Sequence, residues 1–201
     1  MKKGNYIDEK IILQRRNAQK GTGDYNLLTD EIHIRGKRIR FQWFPLFHGE
    51  FRILLPEDFV QMPEQVAKDR YIFSCRPPLI LTCPDYDENF GFHLLEDENA
   101  GLDDLIRKMK AAVLLHAPET VVYDEGTIEP DQMEGRWFEY KNFTIDDETY
   151  NMQFLIRSGS NLLAGTFNCR MVFFDQWKPL VFKSLELIER TGKERGADES
   201  R

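Results

Sequence analysis

The chain contains little cysteine, no long apolar run and no recognised leader segment. Three cysteines, Cys75, Cys83 and Cys169, occur among its 201 residues, and so small and odd a number argues against a disulfide framework. We therefore predict buried free thiols and a cytoplasmic location. Lys2 and Lys3 are not followed by an apolar stretch, so the sequence predicts neither a signal peptide nor a membrane span.

An excess of positive charge is also missing. The formal net charge is −7, and basic residues concentrate in residues 1–54, where 11 Lys and Arg stand against 6 Asp and Glu. Phosphate binding depends on clustered positive charge. The overall balance therefore disfavours a nucleic-acid partner and an anionic membrane surface, and it leaves a strongly acidic remainder after residue 54.

Motifs that carry chemistry are absent as well. The sequence has no Gly-x-Ser-x-Gly, no Cys-x-x-Cys and no phosphate loop. Cys75 and His93 could meet across neighbouring strands as nucleophile and base, but the apolar flanking residues favour a packing role for the thiol. We predict no catalytic residue, no metal and no cofactor, and hence no enzyme.

One short segment partly matches a calcium-binding loop. Asp85, Asp87, Asn89 and Glu96 fall at positions one, three, five and twelve of that motif. The glycine, Gly91, falls at position seven, whereas the motif needs it at six for the sharp turn. The segment also runs into a predicted strand, whose alternating side chains cannot converge on one ion. We interpret it as an Asp-rich turn.

Hydrophobic periodicity predicts many strands and two main helices. The predicted helices are Leu102–His116 and residues 176–190, the latter with Asp175 as its N-cap and Pro179 in its first turn. The predicted strands after the first 50 residues cover 51–55, 71–75, 79–83, 89–95, 120–127, 136–144, 149–157 and 161–169. Most neighbouring strands are close in sequence and separate from the helices. The fold class is therefore α+β, with a largely antiparallel sheet flanked by helices.

An N-terminal hairpin over residues 31–44 is the main candidate for a binding surface. Ile32 and Ile34 alternate with polar residues, and Gly36-Lys37 suits a two-residue type II′ turn. Basic and aromatic residues are interleaved after the turn, and the candidate partner-binding residues are Arg38, Arg40, Trp43, Phe44 and Phe47.

The alternation in this hairpin also fits three arrangements besides a surface for a different protein. A strand with its apolar side on a core produces the same pattern. A homodimer that forms through the added edge hairpin would also account for the alternating basic and aromatic residues. Single-stranded nucleic acid binding by stacking and charge is the third, and the net charge disfavours it.

Acidic residues cluster in two segments. Residues 85–104 hold eight acids and residues 124–134 hold five, with no Lys or Arg in either segment. Most of these acids lie in predicted turns, so a solvated face is the simpler interpretation. The functional alternative is a docking surface for a basic partner.

The order of elements resembles the PsbP-like fold, an α/β/α sandwich. Phe51–Phe59 is similar to the opening strand and turn of that family, and Leu102–His116 to its middle helix. Residues 136–140, 150–154 and 174–179 are similar to its C-terminal half. The resemblance covers residues 50–190 and implies a non-enzymatic role, as an accessory subunit, a GTPase-binding factor or an adaptor chaperone. No functional residue carries over from it, because the family has no shared catalytic motif.

These observations predict one domain over residues 29–191, composed of the added hairpin (29–48) and the PsbP-like core (50–190). A polar, partly disordered arm (1–28) and a disordered tail (192–201) flank it. The predicted function is that of an intracellular interaction protein, an adaptor or chaperone for another protein, and the resemblance implies a link to secretion. The alternative is a small-molecule-binding or enzymatic domain with a pocket between sheet and helix, for which the first polar groups to consider are Tyr140, Tyr150, His93 and Arg136.

Overall fold

The computed structural model describes residues 25–71, 76–85, 87–96, 100–143 and 147–191. Most of the predicted arm, the strand prediction after Tyr71, Cys75 and the predicted tail lie outside the described residues. Residues 25–28 of the predicted arm are described, and Leu27 is 2% exposed within the main hydrophobic core. The domain's packing therefore begins before residue 29.

The described residues form a succession of strands and three α-helices. The helices are α1 (Glu64–Arg70), α2 (Leu102–His116) and α3 (Phe174–Glu186). The strands are β1 (Ile32–Ile34), β2 (Lys37–Ile39), β3 (Phe41–Leu46), β4 (Phe51–Pro56), β5 (Val60–Gln61), β6 (Leu79–Thr82), β7 (Asn89–Glu96), β8 (Val121–Ile128), β9 (Glu134–Phe143), β10 (Glu148–Ser158), β11 (Asn161–Arg170) and β12 (Glu189–Arg190).

The largest sheet is antiparallel throughout, with the strand order β5-β6-β7-β11-β10-β9-β8. Its centre is built from β9, β10 and β11, which follow one another in the chain and pair as neighbours. A second sheet has the order β12-β4-β3, and β1 pairs with β2 alone. The structure confirms the predicted α+β class with its largely antiparallel sheet.

Side chains on the two faces of the large sheet enter different layers. On β10, Tyr150, Met152 and Phe154 enter the main core, which also contains residues of α3 and the three-stranded sheet. Leu155, on the opposite face, belongs to a second cluster with Leu102 and Ile106 of α2. This alternation follows from the period of two along a strand. The large sheet is therefore sandwiched between apolar layers.

The hairpin turn lies one residue earlier than predicted. Ile34 pairs with Lys37, so Arg35 and Gly36 are the turn residues, with φ values of 53° and 72°. Positive φ at both central positions is the type I′ arrangement, whose twist matches that of the flanking strands. The predicted Gly36-Lys37 type II′ turn was wrong, because arginine here accepts the left-handed conformation that we reserved for glycine.

The hairpin is also shorter than predicted. It ends at Ile39, and β3 pairs with β4 from Phe41↔Pro56 to Leu46↔Phe51. Ile32 and Ile34 are buried in the main core. The hairpin therefore packs on the body of the domain, and β3 is part of a separate sheet.

Two helical regions differ from the sequence prediction. Helix α3 begins at Phe174 after a single 3-10 turn, which places Asp175 in its first turn and not at the N-cap. Pro179 then lies in the second turn and removes one helical hydrogen bond. Helix α1 was not predicted, and Tyr71 caps its C-terminus instead of beginning a strand.

Candidate functional site

Two of the predicted partner-binding residues are basic and exposed. Arg38 lies on β2, with its Nε atom 3.9 Å from the Glu31 carboxylate. Arg40 follows β2 and is also exposed, and its carbonyl accepts a hydrogen bond from the backbone of Glu57. Lys37 adds a third exposed cation at the start of β2. Lys37 is paired with buried Ile34, so it projects to the opposite side of β2 from its neighbour Arg38. We call Arg38 and Arg40 the basic hairpin face.

The predicted aromatic residues are only partly available. Trp43 and Phe44 on β3 and Phe47 after it are half-buried and pack against the main core. The guanidinium of Arg52 lies 4.3 Å from the Trp43 ring centroid, and Arg52 in turn bonds to Glu189 of β12. Packing on the core therefore explains much of the aromatic pattern. The structure places the aromatic residues on a different sheet from the basic hairpin face.

One arginine fixes the hairpin to the domain. The Arg35 guanidinium bonds to Asp85 at 3.2 Å and to Asp87 at 3.0 Å, and it lies 3.3 Å from Glu88. It also stacks 3.9 Å from the centroid of the Phe173 ring. The Arg35 backbone N–H donates to the Gln176 side chain at 2.9 Å. These contacts join the turn of the hairpin to the β6–β7 loop and to the start of α3.

Cys83 and Glu88 lie on the buried side of this cluster. The Cys83 thiol is 2.8 Å from an Asp85 oxygen and 3.0 Å from a Glu88 oxygen, and Trp177 donates its indole N–H to Glu88 at 3.1 Å. Burial raises the pKa of the Cys83 thiol well above its usual range, and the adjacent carboxylates add to the increase. Burial also raises the pKa of Glu88. Cys83 is therefore a protonated thiol at neutral pH, which suits packing better than nucleophilic attack.

The segment that partly matches a calcium loop does not converge on one point. Asn89 donates to Asn168, and Glu96 lies at the far end of β7, opposite Asn161. Ligand atoms of Cys83, Asp85 and Glu88 lie within 4.8 Å of one another and have the spacing to hold a metal ion. Arg35 already supplies a positive charge to both carboxylates. The structure thus gives these residues a structural role in anchoring the hairpin.

A second buried polar network lies between the large sheet and α3. The Tyr150 hydroxyl donates to Glu139 at 2.6 Å, and the Lys178 ammonium donates to the other Glu139 oxygen at 2.7 Å. Burial and the neighbouring Glu139 charge raise the pKa of Tyr150 well above its usual value. All three groups are satisfied within the network, so it stabilises packing and offers no open position to a ligand.

The four polar groups of the small-molecule alternative do not meet. Tyr150 faces the main core, whereas Tyr140 belongs to the cluster under α2 and accepts a hydrogen bond from Gln153. Arg136 pairs with Asp103 and Glu134 near the surface, and His93 lies on β7 opposite Ala164. The structure therefore does not assemble the pocket that the sequence suggested.

A groove of about 710 Å³ lies instead beside α1. Residues of α1 and Tyr71 line it together with Arg76, Pro77 and Pro78. Met62 and Ile80 contribute apolar surface to it. Sequence reasoning missed this groove because it missed α1. The signal was present in the spacing of Val66, Ala67 and Tyr71, which pack into one small apolar cluster.

The acidic segments are largely engaged in ion pairs. Asp103 and Glu134 bond to Arg136, Asp104 bonds to Arg107, and Glu125 bonds to Lys110. These pairs are mostly exposed, and such pairs contribute little to stability. They support the interpretation of the acidic segments as a solvated face.

The fold resembles solved structures, although no family model and no curated protein matches the chain. Cyanobacterial PsbP (CyanoP) from Synechocystis superposes with a TM-score of 0.56 at 13% identity, over 75% of this chain and 92% of that one. The chain has the PsbP-like fold. A structure from Bacteroides thetaiotaomicron matches with a TM-score of 0.51 at 8% identity, over 76% of this chain and 49% of that one.

The PsbP-like fold agrees with the resemblance found in the sequence, and at these identities the likeness establishes the fold alone. LpqN of Mycobacterium tuberculosis, which is involved in cell envelope biogenesis, matches at 12% identity with a TM-score of 0.49, over 79% of this chain and 95% of that one. None of the described helices is long and apolar enough to cross a membrane.

Proposed function

We propose that this protein is a non-enzymatic interaction domain, an adaptor or chaperone for another protein, that works inside the cell. The observation that carries the proposal is an exposed basic hairpin face, Arg38 and Arg40, on a hairpin that Arg35 ties to the body of the domain. The partner surface that fits this face is acidic, because opposite potentials steer association and fix its register.

Anchoring of the hairpin favours binding. The Arg35 contacts to Asp85 and Asp87, together with burial of Ile32 and Ile34, hold β1 and β2 against the domain. A surface that is already ordered loses little conformational entropy on association, so more of the contact energy appears as affinity. The contacts around Arg35 thus serve the proposed function without touching the partner.

Strand β3 extends the proposed contact surface. It lies at the edge of the three-stranded sheet and carries Trp43 and Phe44, both half-buried. Half-exposed aromatic side chains commonly anchor protein interfaces. Pro45 has no N–H to donate, which limits pairing of a partner strand along this edge. We therefore assign the contact to side chains: Arg38, Arg40, Trp43, Phe44 and Phe47.

Reversal of charge on the hairpin tests the proposal. Tagged full-length protein, the double variant Arg38→Glu/Arg40→Glu, and the control Arg107→Glu/Lys108→Glu would be purified from the native cells, and co-purifying proteins quantified by mass spectrometry. The control reverses two exposed basic residues on α2, away from the hairpin. We expect one stoichiometric partner, retained by the control and lost by the hairpin variant. Equal retention by both variants would contradict the proposal.

Self-association is the competing use of the same surface. Sedimentation velocity on the purified protein and on the hairpin variant distinguishes the two. A dimer that the hairpin variant abolishes would assign the surface to a second copy of this chain. A monomer in both samples leaves the surface to a different protein, as we propose.

A further inference from the structure

We propose that the groove beside α1 binds a small organic acid, with the carboxylate at Arg76 and an apolar chain along Met62, Pro77 and Ile80. This site is separate from the hairpin and goes beyond the proposed docking function. The groove volume, about 710 Å³, falls within the range of known small-ligand sites.

The charge of the groove lining favours a monoanion. Glu64 and Lys68 are both on α1 and form an ion pair of 2.6 Å, so their charges offset each other. Hydrogen bonding to Lys68, together with the charges of Lys68 and Arg76, lowers the pKa of Glu64, so this carboxylate is ionised at neutral pH and also interacts with Arg76. Arg76 then supplies the net positive charge of the lining. A guanidinium binds a carboxylate through two parallel N–H bonds, which selects this anion by geometry as well as charge.

A second polar group points to the same ligand. The Tyr71 hydroxyl accepts a hydrogen bond from the Asn168 amide at 3.4 Å, and Asn168 in turn accepts one from Asn89 at 3.0 Å. Because its oxygen serves as the acceptor, the Tyr71 hydroxyl retains a proton to donate. Burial raises the pKa of Tyr71, so the hydroxyl stays protonated. Tyr71 is therefore a neutral donor in the lining of the same groove as Arg76.

The apolar part of the lining is firmly held, and Gln61 adds a further polar side chain beside it. Met62 and Ile80 are buried and belong to one cluster with Ala67 of α1, and the Met62 N–H bonds to the Ile80 carbonyl at 2.8 Å. Pro77 packs closely on β7, since a Cβ atom placed on Gly91 would lie 2.7 Å from the Pro77 ring. Such a surface accommodates methylene groups and does not offer hydrogen bonds. Together, the cation, the donor and the apolar surface match a carboxylate that carries a hydrocarbon chain.

Titration calorimetry on the full-length protein tests this assignment with octanoate as the probe and 1-octanol as the uncharged probe of equal length. We expect saturable octanoate binding and at least tenfold weaker binding of octanol, because the alcohol cannot form a charge-assisted pair with Arg76. Absence of octanoate binding, or equal affinity for the two probes, would overturn the proposal.

Variants locate the binding within the groove. Arg76→Gln should weaken octanoate binding at least tenfold, and Tyr71→Phe should weaken it several-fold. Arg107→Gln, on the exposed side of α2, is the matched control and should bind as the original protein does. Octanoate affinity that is unchanged in Arg76→Gln would show that the acid binds elsewhere. Circular dichroism of each variant confirms that the protein is folded, and the comparison of probes on the unaltered protein does not depend on any variant.

Discussion

At the scale of single residues, buried charges in this protein are paired and also hydrogen-bonded. Glu139 is 2% exposed, and both of its carboxylate oxygens accept bonds, one from Tyr150 and one from Lys178. A charge in such a position is tolerated because its partners replace the water that it has lost. Removal of one member leaves the others buried without that compensation.

Replacement of Glu139 should therefore destabilise the fold strongly. We expect Glu139→Ala to lower the free energy of unfolding by roughly 3–5 kcal/mol, because the ammonium of Lys178 and the hydroxyl of Tyr150 lose their acceptor. Urea denaturation provides the measurement. The control is Glu186→Ala, which removes an ion pair between Glu186 and Lys183 at the end of α3. That pair is more exposed, and its loss should cost less than about 1 kcal/mol. Similar losses in the two variants would contradict the account.

Glu88 should make stability depend on pH. Burial raises its pKa in the folded protein, so the folded state holds this proton more tightly than the unfolded chain does. The resulting stability is fully present below the ordinary glutamate pKa of about 4.3 and is lost as the pH rises through the raised folded value. Glu88→Gln removes this titration. Its free energy of unfolding, relative to the original protein, should therefore improve between about pH 4 and about pH 7.

Asp147 provides a control of opposite sign. Its hydrogen bond to Arg170 lowers the pKa of Asp147, so its contribution is present above the ordinary aspartate pKa and is lost as the pH falls. Asp147→Asn should thus become relatively more costly as the pH rises from about 2 to about 4, just below the ordinary aspartate pKa. Denaturation across each of these two pH intervals checks the two variants. A change of the same sign in both would refute the assigned causes.

At the scale of elements, close packing between strands determines which residues are tolerated. Gly165 on β11 pairs with Phe154 on β10, and a Cβ atom at Gly165 would lie 2.0 Å from the Phe154 ring. The ring is fully buried, and close packing in protein interiors leaves little room for such a ring to move. Glycine at this position leaves room for an aromatic side chain at the centre of the large sheet.

Substitution of this glycine should therefore disrupt the sheet. We expect Gly165→Ala to lower the free energy of unfolding by about 3 kcal/mol or to prevent folding, since overpacking forces shifts in side chains and backbone. Gly101→Ala is the control, because a Cβ atom there meets nothing within 4 Å. Its cost should stay below about 1 kcal/mol, consistent with its position before α2. Thermal unfolding of both variants measures the difference, and equal stability would show that the Phe154 ring does not constrain Gly165.

Regular elements could be predicted from the sequence where local pattern decides the structure. The bounds of α2 agree with the prediction, and β7 and β4 each differ by one residue, because their apolar periodicity is strong. Helix α1 was missed because its seven residues are mostly polar and bury only Ala67. The hairpin turn was predicted one residue too late, because Arg35 adopts a positive φ that the prediction expected only of glycine.

Long-range polar contacts could not be predicted. Arg35 meets Asp85 and Asp87 across about 50 positions of the chain, and Gln176 across 141. No local pattern indicates such partners. The predicted site residues Arg38 and Arg40 are exposed, as a binding surface requires, whereas the aromatic residues Trp43 and Phe44 are shared between surface and core. Their assignment to a partner stays a prediction.

At the scale of the whole molecule, a PsbP-like body carries two separate surface features. The basic hairpin face lies beyond the β1–β2 turn that Arg35 anchors, and the groove lies beside α1. Between these two features lie the large sheet and its apolar layers, which contain the hydrogen-bonded networks around Glu139 and Glu88. This arrangement fits a scaffold that presents surfaces to other molecules, since the polar groups of the Glu88 and Glu139 networks are engaged in structural contacts.

Hydrogen exchange of the protein alone and in complex with its co-purified partner tests the central claim most directly. Mass spectrometry would follow peptides that cover residues 37–47 and residues 102–116. We predict that the partner slows exchange over residues 37–47 and leaves the peptide of α2 unchanged, because contact at the hairpin and β3 shields those amides. Protection confined to α2, or no protection anywhere, would contradict the docking function that we propose.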